Sequence, residues 1–184
     1  QPLGVPMAFG GPYVGLFACK KEQIRQMPGR IIGYTKDTKG RAGYALTLQT
    51  REQHIRRERA TSNICTSTQL IALMVTAYVA TLGKQGIREV AELCYQKAHY
   101  AAKEIANIEG YSVRNKGTFF HEFVVTCPRD PSVINAELLK QKIIGGLDIS
   151  DRSNNGMLVC FTETNSKKDI DRFVEALRQF AEAH

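Results

Sequence analysis

The side chains best suited to chemistry are concentrated in one short stretch, from Arg51 to Asn63. Arginines and one histidine precede three short polar residues, Thr61, Ser62 and Asn63. Guanidinium groups bind carboxylates and phosphates through paired hydrogen bonds. Hydroxyl groups beside a helix N-terminus are a common phosphate site. The spacing alone therefore allows two interpretations: an anion site, or a solvated charged turn followed by an ordinary helix cap.

The excess positive charge of the chain lies in a segment that overlaps this stretch. The 184 residues carry 25 Lys and Arg against 18 Asp and Glu, a formal charge of +7. Eleven basic and four acidic residues lie between Lys20 and Arg59, so this segment holds the whole excess. Such a patch binds nucleic acid, a smaller anion or an acidic protein surface. A nucleic-acid surface usually interleaves aromatic residues, and none lies between Gln49 and Tyr78.

Two further groups of residues indicate a function less specifically. The loop from Gly4 to Gly15 contains Gly10-Gly11-Pro12, but it has neither P-loop nor dinucleotide-binding spacing. It is either a structural turn or a close approach to a ligand or a neighbouring chain. His121 beside Glu122 could transfer protons. On a regular strand, however, the two side chains would point to opposite faces, which favours a structural histidine.

Composition excludes several classes of protein. A hydrophobic fraction of 43% and a charged fraction of 23% exclude wholesale disorder. The longest apolar runs fall short of the ~20 residues of a membrane span, so we expect no membrane association. Five cysteines without CxxC spacing fit buried residues of a reducing compartment. Four histidines without HxxxH or HExxH spacing predict no metal centre.

The elements that carry these residues follow from hydrophobic periodicity. The apolar run 13–19 predicts a buried strand, and residues 30–34 and 44–49 predict a hairpin with a charged tip. Residues 69–82 are apolar on every side, which predicts a helix buried all round and ended by Gly83. An amphipathic helix is expected over 86–109.

The remaining sequence predicts a small α/β domain. Strands are expected over 111–114 and 119–127, and Asp130-Pro131 is typical of the start of a helix over 132–143. Gly145-Gly146 is expected to end that helix. Strands over 147–150 and 157–161 and a last helix, capped within 164–166, complete the order strand–strand–helix–strand–strand–helix.

Three long motifs carry a resemblance to a known family. They are MPGRIIG at 27–33, LTLQTREQHIRR at 46–57 and ATSNICT at 60–66. The chain resembles, over essentially its whole length, the glycine decarboxylase P-protein of the glycine cleavage system, in its subunit 1 or alpha-type form. The resemblance implies a fold-type-I PLP-dependent, aminotransferase-like α/β fold. It also implies a C-terminal fragment: the end of the large domain over 1–85, a connecting helix over 86–110 and the small domain over 111–184.

The resemblance also implies a division of labour. In the paired catalytic subunit, a lysine before a Gly-Gly-Pro turn holds pyridoxal phosphate covalently. Alignment of that turn with Gly10-Gly11-Pro12 places Gln1 at the lysine position, and no lysine precedes Lys20. This chain is therefore expected to have no catalytic residue at that site, to be inactive alone, and to pair with the subunit that carries the cofactor.

The implied reaction is decarboxylation of glycine, followed by transfer of the aminomethyl group to the lipoylated H-protein, in the bacterial cytoplasm. The residues that would contact the cofactor are Thr61, Ser62 and Asn63. Those implied at the interface or on the approach to the active site are Arg51, His54, Arg56 and His121. Two alternatives are a basic nucleic-acid-binding module and a purely structural dimerisation fragment.

Overall fold

The computed structural model describes residues 2–8, 10–27, 31–47, 53–60, 68–114 and 117–182, without the side chain of His54. The chain divides into two compact units, Gln1–Thr81 and Leu82–His184. The boundaries expected after residues 85 and 110 stay a prediction.

The first unit contains the predicted hairpin. Strand β1 (Ile31–Lys36) pairs antiparallel with β2 (Ala42–Thr47), and Tyr34 lies opposite Tyr44. The turn between them is held by Asp37, whose Oδ1 accepts hydrogen bonds of 2.9 Å from the backbone N–H groups of Lys39 and Arg41. The local turn chemistry therefore fixes the register of the hairpin.

The N-terminal loop of this unit packs on the start of a long helix. After a one-turn helix α1 (Gln53–Arg56), helix α2 spans Gln69–Ala106 and is interrupted at Gly83 (φ 63°, ψ −176°), where its end is predicted. Val5 forms a small buried cluster with Ile71 and Val75 of this helix. Gly4 has φ 82°, and a Cβ there would lie 2.6 Å from the ring of Tyr78. Only glycine allows the loop to approach the helix this closely.

Two burial predictions for this unit are wrong. Residues 13–19 form no strand, and within them Leu16 is 79% and Phe17 66% exposed. The first half of α2 is not buried on all sides, because Leu70 and Leu73 remain 70% and 64% exposed. A buried strand needs neighbouring backbone, and an apolar helix needs a cover on every face. The described residues of this unit provide neither.

Helix α2 also has the length and composition of a membrane span, with a mean hydropathy of 1.4 over its most apolar 18-residue window. That property is equally typical of a helix that lies in the core of a larger soluble domain. The expectation of no membrane association therefore stays a prediction.

The second unit is the predicted two-layer α/β domain. Its antiparallel sheet has the order β3-β4-β6-β5. These strands span Ser112–Val113, Glu122–Thr126, Gly156–Cys160 and Leu147–Asp148 respectively. Helices α3 (Pro131–Lys140) and α4 (Lys167–Glu182), with the second half of α2, cover one face. Fully buried residues at this interface include Ala98, Ile105, Phe123, Met157 and Leu177.

The helix ends of this unit mostly follow the sequence signals. Asp130 accepts a hydrogen bond from the N–H of Ser132 at 2.8 Å, as expected of an N-cap. Ser166 and Asp169 exchange hydrogen bonds in a capping box at the start of α4. The end expected for α3 at Gly145-Gly146 is wrong, because the helix ends at Lys140 and the left-handed residue is Lys142 (φ 59°).

The two glycines have another role. A Cβ at Gly145 would overlap Asn135 Oδ1, and one at Gly146 would lie 2.5 Å from the carbonyl oxygen of Leu158. They let the chain pass close to α3 and β6 on its way into β5. Close packing, and not helix termination, is therefore the reason for this glycine pair.

Candidate functional site

The basic stretch forms a short helical segment on the surface of the first unit. Helix α1 spans Gln53–Arg56, and a 3₁₀ turn, Arg57–Arg59, follows it directly. Arg56, Arg57 and Arg59 are exposed, and within the described ranges their guanidinium groups contact no carboxylate. Three exposed guanidinium groups in one surface segment can bind a phosphate or a carboxylate. The stretch therefore matches the solvated charged turn and stays competent to bind an anion.

All three predicted cofactor contacts, and two of the residues predicted on the approach, lie outside what the structure describes. Thr61, Ser62, Asn63 and Arg51 lie outside the described residues, as does the side chain of His54. Their assignment to the cofactor and its approach therefore stays a prediction. Of the four residues expected at the interface or approach, Arg56 and His121 can be examined, and they belong to different units.

The glycine loop is positioned by its contact with α2. Gly4 and Val5 contact that helix, and Gly10 and Gly11 follow a few residues later in the same loop. Both adopt positive φ angles, 117° and 139°, and a Cβ at Gly10 would meet no atom within 4 Å. The loop is thus a tight turn with open space beside it. Both interpretations, a structural turn and a close approach to a ligand, remain available.

His121 lies in a bend, just before the strand that was expected to contain it. Strand β4 begins at Glu122, and the carbonyl of His121 accepts a hydrogen bond from the N–H of Phe161 at 3.1 Å. Because His121 is outside the regular strand, alternation does not apply. The prediction that His121 and Glu122 point to opposite faces is wrong: atoms of their side chains lie within 4.8 Å of one another.

A second polar group lies between α2 and the loop before α4. The Cys94 thiol donates a hydrogen bond to a Glu163 carboxylate oxygen at 3.2 Å, and the Glu163 N–H donates to the sulfur at 3.3 Å. Burial, and then the carboxylate, raises the pKa of Cys94 above its ordinary value. This thiol is therefore protonated, and its sulfur is occupied by two hydrogen bonds. Cys94 and Cys127 are buried as expected, but the expectation of buried cysteines is wrong for Cys19 and Cys160, which are exposed.

The architecture defines a class of protein. A C-DES mutant with glycine covalently linked to its PLP cofactor superposes with a TM-score of 0.53, at 13% identity, over 86% of this chain and 40% of that one. The mixed helices and sheet of this chain are therefore those of the fold-type-I PLP-dependent enzymes, as the sequence predicts.

Comparisons of sequence identify the family within this fold. A sequence profile for the glycine cleavage system P-protein matches residues 1–177. A solved glycine decarboxylase (P-protein) of the glycine cleavage system, in an inhibitor-bound form, has a TM-score of 0.87 and 40% identity, over 97% of this chain and 41% of that chain. This chain belongs to the glycine cleavage system P-protein family.

Curated relatives agree with this assignment. The probable glycine dehydrogenase (decarboxylating) subunit 1 of Thermomicrobium roseum is 55% identical over 182 residues, which cover 97% of this chain and 41% of the relative. The protein of the same name from Desulfitobacterium hafniense is 52% identical over 96% of this chain and 40% of the relative. The chain thus spans about two fifths of the length of these relatives. The alternative of a nucleic-acid-binding module finds no support among them.

Proposed function

We propose that this chain is the C-terminal part of subunit 1 of a two-subunit glycine dehydrogenase (decarboxylating). The observation that carries the proposal is the 55% identity, over nearly the whole chain, to a relative with that name. The complete subunit would pair with a PLP-carrying subunit and act on glycine, in the bacterial cytoplasm. Residues 1–85 would form the C-terminal end of the large domain, and residues 111–184 would form the small domain. Residues 86–110 would be the helix that connects the two domains.

The partner, and not this chain, would hold the cofactor covalently. The position that resembles the lysine site is Gln1, and the chain has no lysine before Lys20. A carboxamide nitrogen is not nucleophilic and cannot bond to the aldehyde carbon of the cofactor. When bound, pyridoxal phosphate supplies the electron sink for the carbanion left as glycine loses carbon dioxide.

The contribution of this chain would be to bind and orient charged groups. The exposed guanidinium groups of Arg56, Arg57 and Arg59 fit the chemistry of a phosphate. Hydroxyl and amide donors of Thr61, Ser62 and Asn63 would hold the cofactor phosphate, with Arg51 and His54 along the approach. The rest of the basic stretch suits an acidic protein, such as the lipoylated H-protein that would accept the aminomethyl group.

The apolar surface of the first unit supports a larger assembly. Leu70 and Leu73 on α2 and Leu16 and Phe17 on the loop expose large side chains. Large apolar side chains exposed in this number are typical of a surface that another part of an assembly covers. The remaining three fifths of a subunit 1 protein, and the partner subunit, are the proposed cover.

Reconstitution of the full-length subunit with its PLP-carrying partner tests the proposal. The complex is expected to catalyse glycine–bicarbonate exchange when lipoylated H-protein is present, and neither subunit alone is expected to do so. Thr61→Ala or Asn63→Ala would remove one hydrogen bond to a charged phosphate. Such a bond is worth about 1.5–3 kcal/mol, which is roughly a 10- to 150-fold loss of cofactor affinity.

Thr38→Ala is the matched control, because Thr38 is an exposed threonine at the tip of the hairpin. It should leave both cofactor affinity and exchange unchanged. An inactive wild-type complex would overturn the assignment of function. An active complex whose cofactor affinity is the same in Thr61→Ala, Asn63→Ala and Thr38→Ala would overturn only the placement of the phosphate.

A further inference from the structure

Three potential metal ligands meet where two strands of the small domain end. Glu122 begins β4 and Cys160 ends β6, and the antiparallel register pairs these two residues directly. Cross-strand partners project to the same face of a sheet with their Cβ atoms close together. His121 precedes Glu122, and its backbone is fixed by the hydrogen bond from Phe161. The ladder between the strands therefore positions all three residues.

The ligand atoms of these residues form a compact group. A ring nitrogen of His121, a carboxylate oxygen of Glu122 and the sulfur of Cys160 all lie within 4.8 Å of one another. Ligand atoms around a tetrahedral metal, at about 2.0–2.3 Å from it, are separated by roughly 3.3–3.8 Å. Side-chain rotations that shorten the present separations by up to about 1.5 Å would bring the three atoms onto one ion.

The polar atoms of this group have no other partner in the part of the chain that the structure describes. His121 Nδ1 is buried and has no hydrogen-bond partner among those residues. Within the described ranges, the carboxylate of Glu122 and the sulfur of Cys160 likewise make no hydrogen bond or ion pair. A buried polar atom without a partner is unusual in a folded protein and calls for an explanation. A bound cation would satisfy the nitrogen and neutralise the carboxylate.

The neighbouring thiol does not belong to the group. Cys94 is buried, and its sulfur is occupied by two hydrogen bonds with Glu163. Cys160, in contrast, is exposed. A metal ion from solution can therefore reach the sulfur of Cys160, and Cys94 provides a nearby control thiol.

We propose that His121, Glu122 and Cys160 form a zinc site on the small domain. Imidazole nitrogen, thiolate sulfur and carboxylate oxygen are the three ligand types that zinc takes, whereas calcium and magnesium take oxygen ligands. As the bond between Zn²⁺ and Cys160 Sγ forms, the thiol releases its proton to solvent. Water fills the fourth position. The ion joins the start of β4 to the end of β6.

The sequence indicates no such site because its ligands follow no familiar spacing. His121 and Glu122 are adjacent, and Cys160 is brought to them only by the pairing of β4 with β6. The expectation of no metal centre rests on spacing within a single segment, which does not detect ligands from two strands.

Cobalt binding to the full-length subunit, purified without pyridoxal phosphate, tests the site. One equivalent of Co²⁺ is expected to produce a sulfur-to-cobalt charge-transfer band, which Zn²⁺ removes by displacement. Cys160→Ser should abolish the band. His121→Gln and Glu122→Gln should each weaken cobalt binding at least tenfold. Cys94→Ser and Cys19→Ser, the matched thiol controls, should leave band and affinity unchanged.

A second measurement guards against loss of structure in the variants. Zn²⁺ should raise the Tm of the wild-type subunit and of Cys94→Ser, but not the Tm of Cys160→Ser, whose Tm without metal should match the wild type. The site is refuted if stoichiometric Co²⁺ gives no thiolate band. It is equally refuted if the band survives Cys160→Ser, or if Cys94→Ser removes it. The reconstituted exchange activity is measured separately, so failure of the zinc site leaves the proposed function untouched.

Discussion

Substitution of Gly4 by alanine should release the N-terminal loop from helix α2. Two costs combine at this position. A left-handed φ, 82° here, costs an alanine about 1–2 kcal/mol. The new Cβ would also lie 2.6 Å from Cγ and Cδ2 of the Tyr78 ring, and such overpacking costs about 1–3 kcal/mol. The docked loop should therefore lose about 2–5 kcal/mol in all.

Gly40 provides the matched control for backbone strain. Its φ is 79°, but a Cβ there would meet no atom within 4 Å. Gly40→Ala therefore carries the conformational cost without the contact, and both variants share the same effect on the unfolded chain. The comparison shows whether the effect on the N-terminal loop is specific to Gly4 or follows from any alanine placed at a positive φ.

Hydrogen–deuterium exchange of residues 2–8 is the appropriate assay, because Val5 is buried against α2 only while the loop is docked. Each 1.4 kcal/mol corresponds to a factor of ten, so exchange should accelerate roughly 30- to 4,000-fold in Gly4→Ala. It should stay near the wild-type rate in Gly40→Ala. Adding Tyr78→Ala to Gly4→Ala removes the two nearest atoms and should recover part of the effect in a double-mutant comparison. Equal exchange in the two glycine variants would refute the reasoning.

Two other predictions concern pH and assembly. Burial raises the pKa of the Cys127 thiol to about 12, from an ordinary 9.0. The folded thiol keeps a proton that the unfolded thiol releases, so stability should fall as the pH rises from 9 towards 12, by about 1.4 kcal/mol per pH unit. Cys127→Ala should reduce that slope in urea unfolding, and an unchanged slope would contradict the assignment. Leu73→Asp should weaken assembly of the full-length subunit with its partner. Leu139→Asp, an exposed leucine of the other unit, should not. Size-exclusion chromatography of the mixed subunits distinguishes the two, and equal retention of assembly would exclude that face of α2 from the interface.

Features set by neighbouring residues could be predicted from the sequence. The hairpin follows from Asp37 and Gly40, and helix α3 begins where Asp130 and Pro131 indicate. The break at Gly83 also lies where predicted. In these cases the element is determined by hydrogen bonds or backbone angles within a few residues. The sequence of that short segment is therefore enough to predict the element.

Features set by distant residues could not be predicted. The apolar character of Leu16 and Phe17 indicates that something should cover them, but it does not indicate what or where. Gly145 is required by its approach to Asn135, which only the folded chain shows. The grouping of Glu122 with Cys160 likewise depends on which strands pair, and hydrophobic alternation alone leaves that choice open.

In the candidate site, too, some features could be predicted from neighbouring residues and others could not. The exposure of Arg56 could be predicted from the composition of residues 51–59. Their one large apolar residue, Ile55, is too little to drive burial of the segment. The placement of Thr61, Ser62 and Asn63 relative to a phosphate depends on contacts beyond the described residues.

The interruption at Gly83 has a consequence for the cooperativity of unfolding. Residues before it, such as Ile71, bury their side chains in the small cluster of the first unit, whereas Ala98 and Ile105 belong to the core of the second. The helix that contains both groups is interrupted at this glycine, whose backbone angles are not helical. Helix α2 therefore belongs to two cooperative units. Its second half should stay folded with the small domain under conditions that melt its first half.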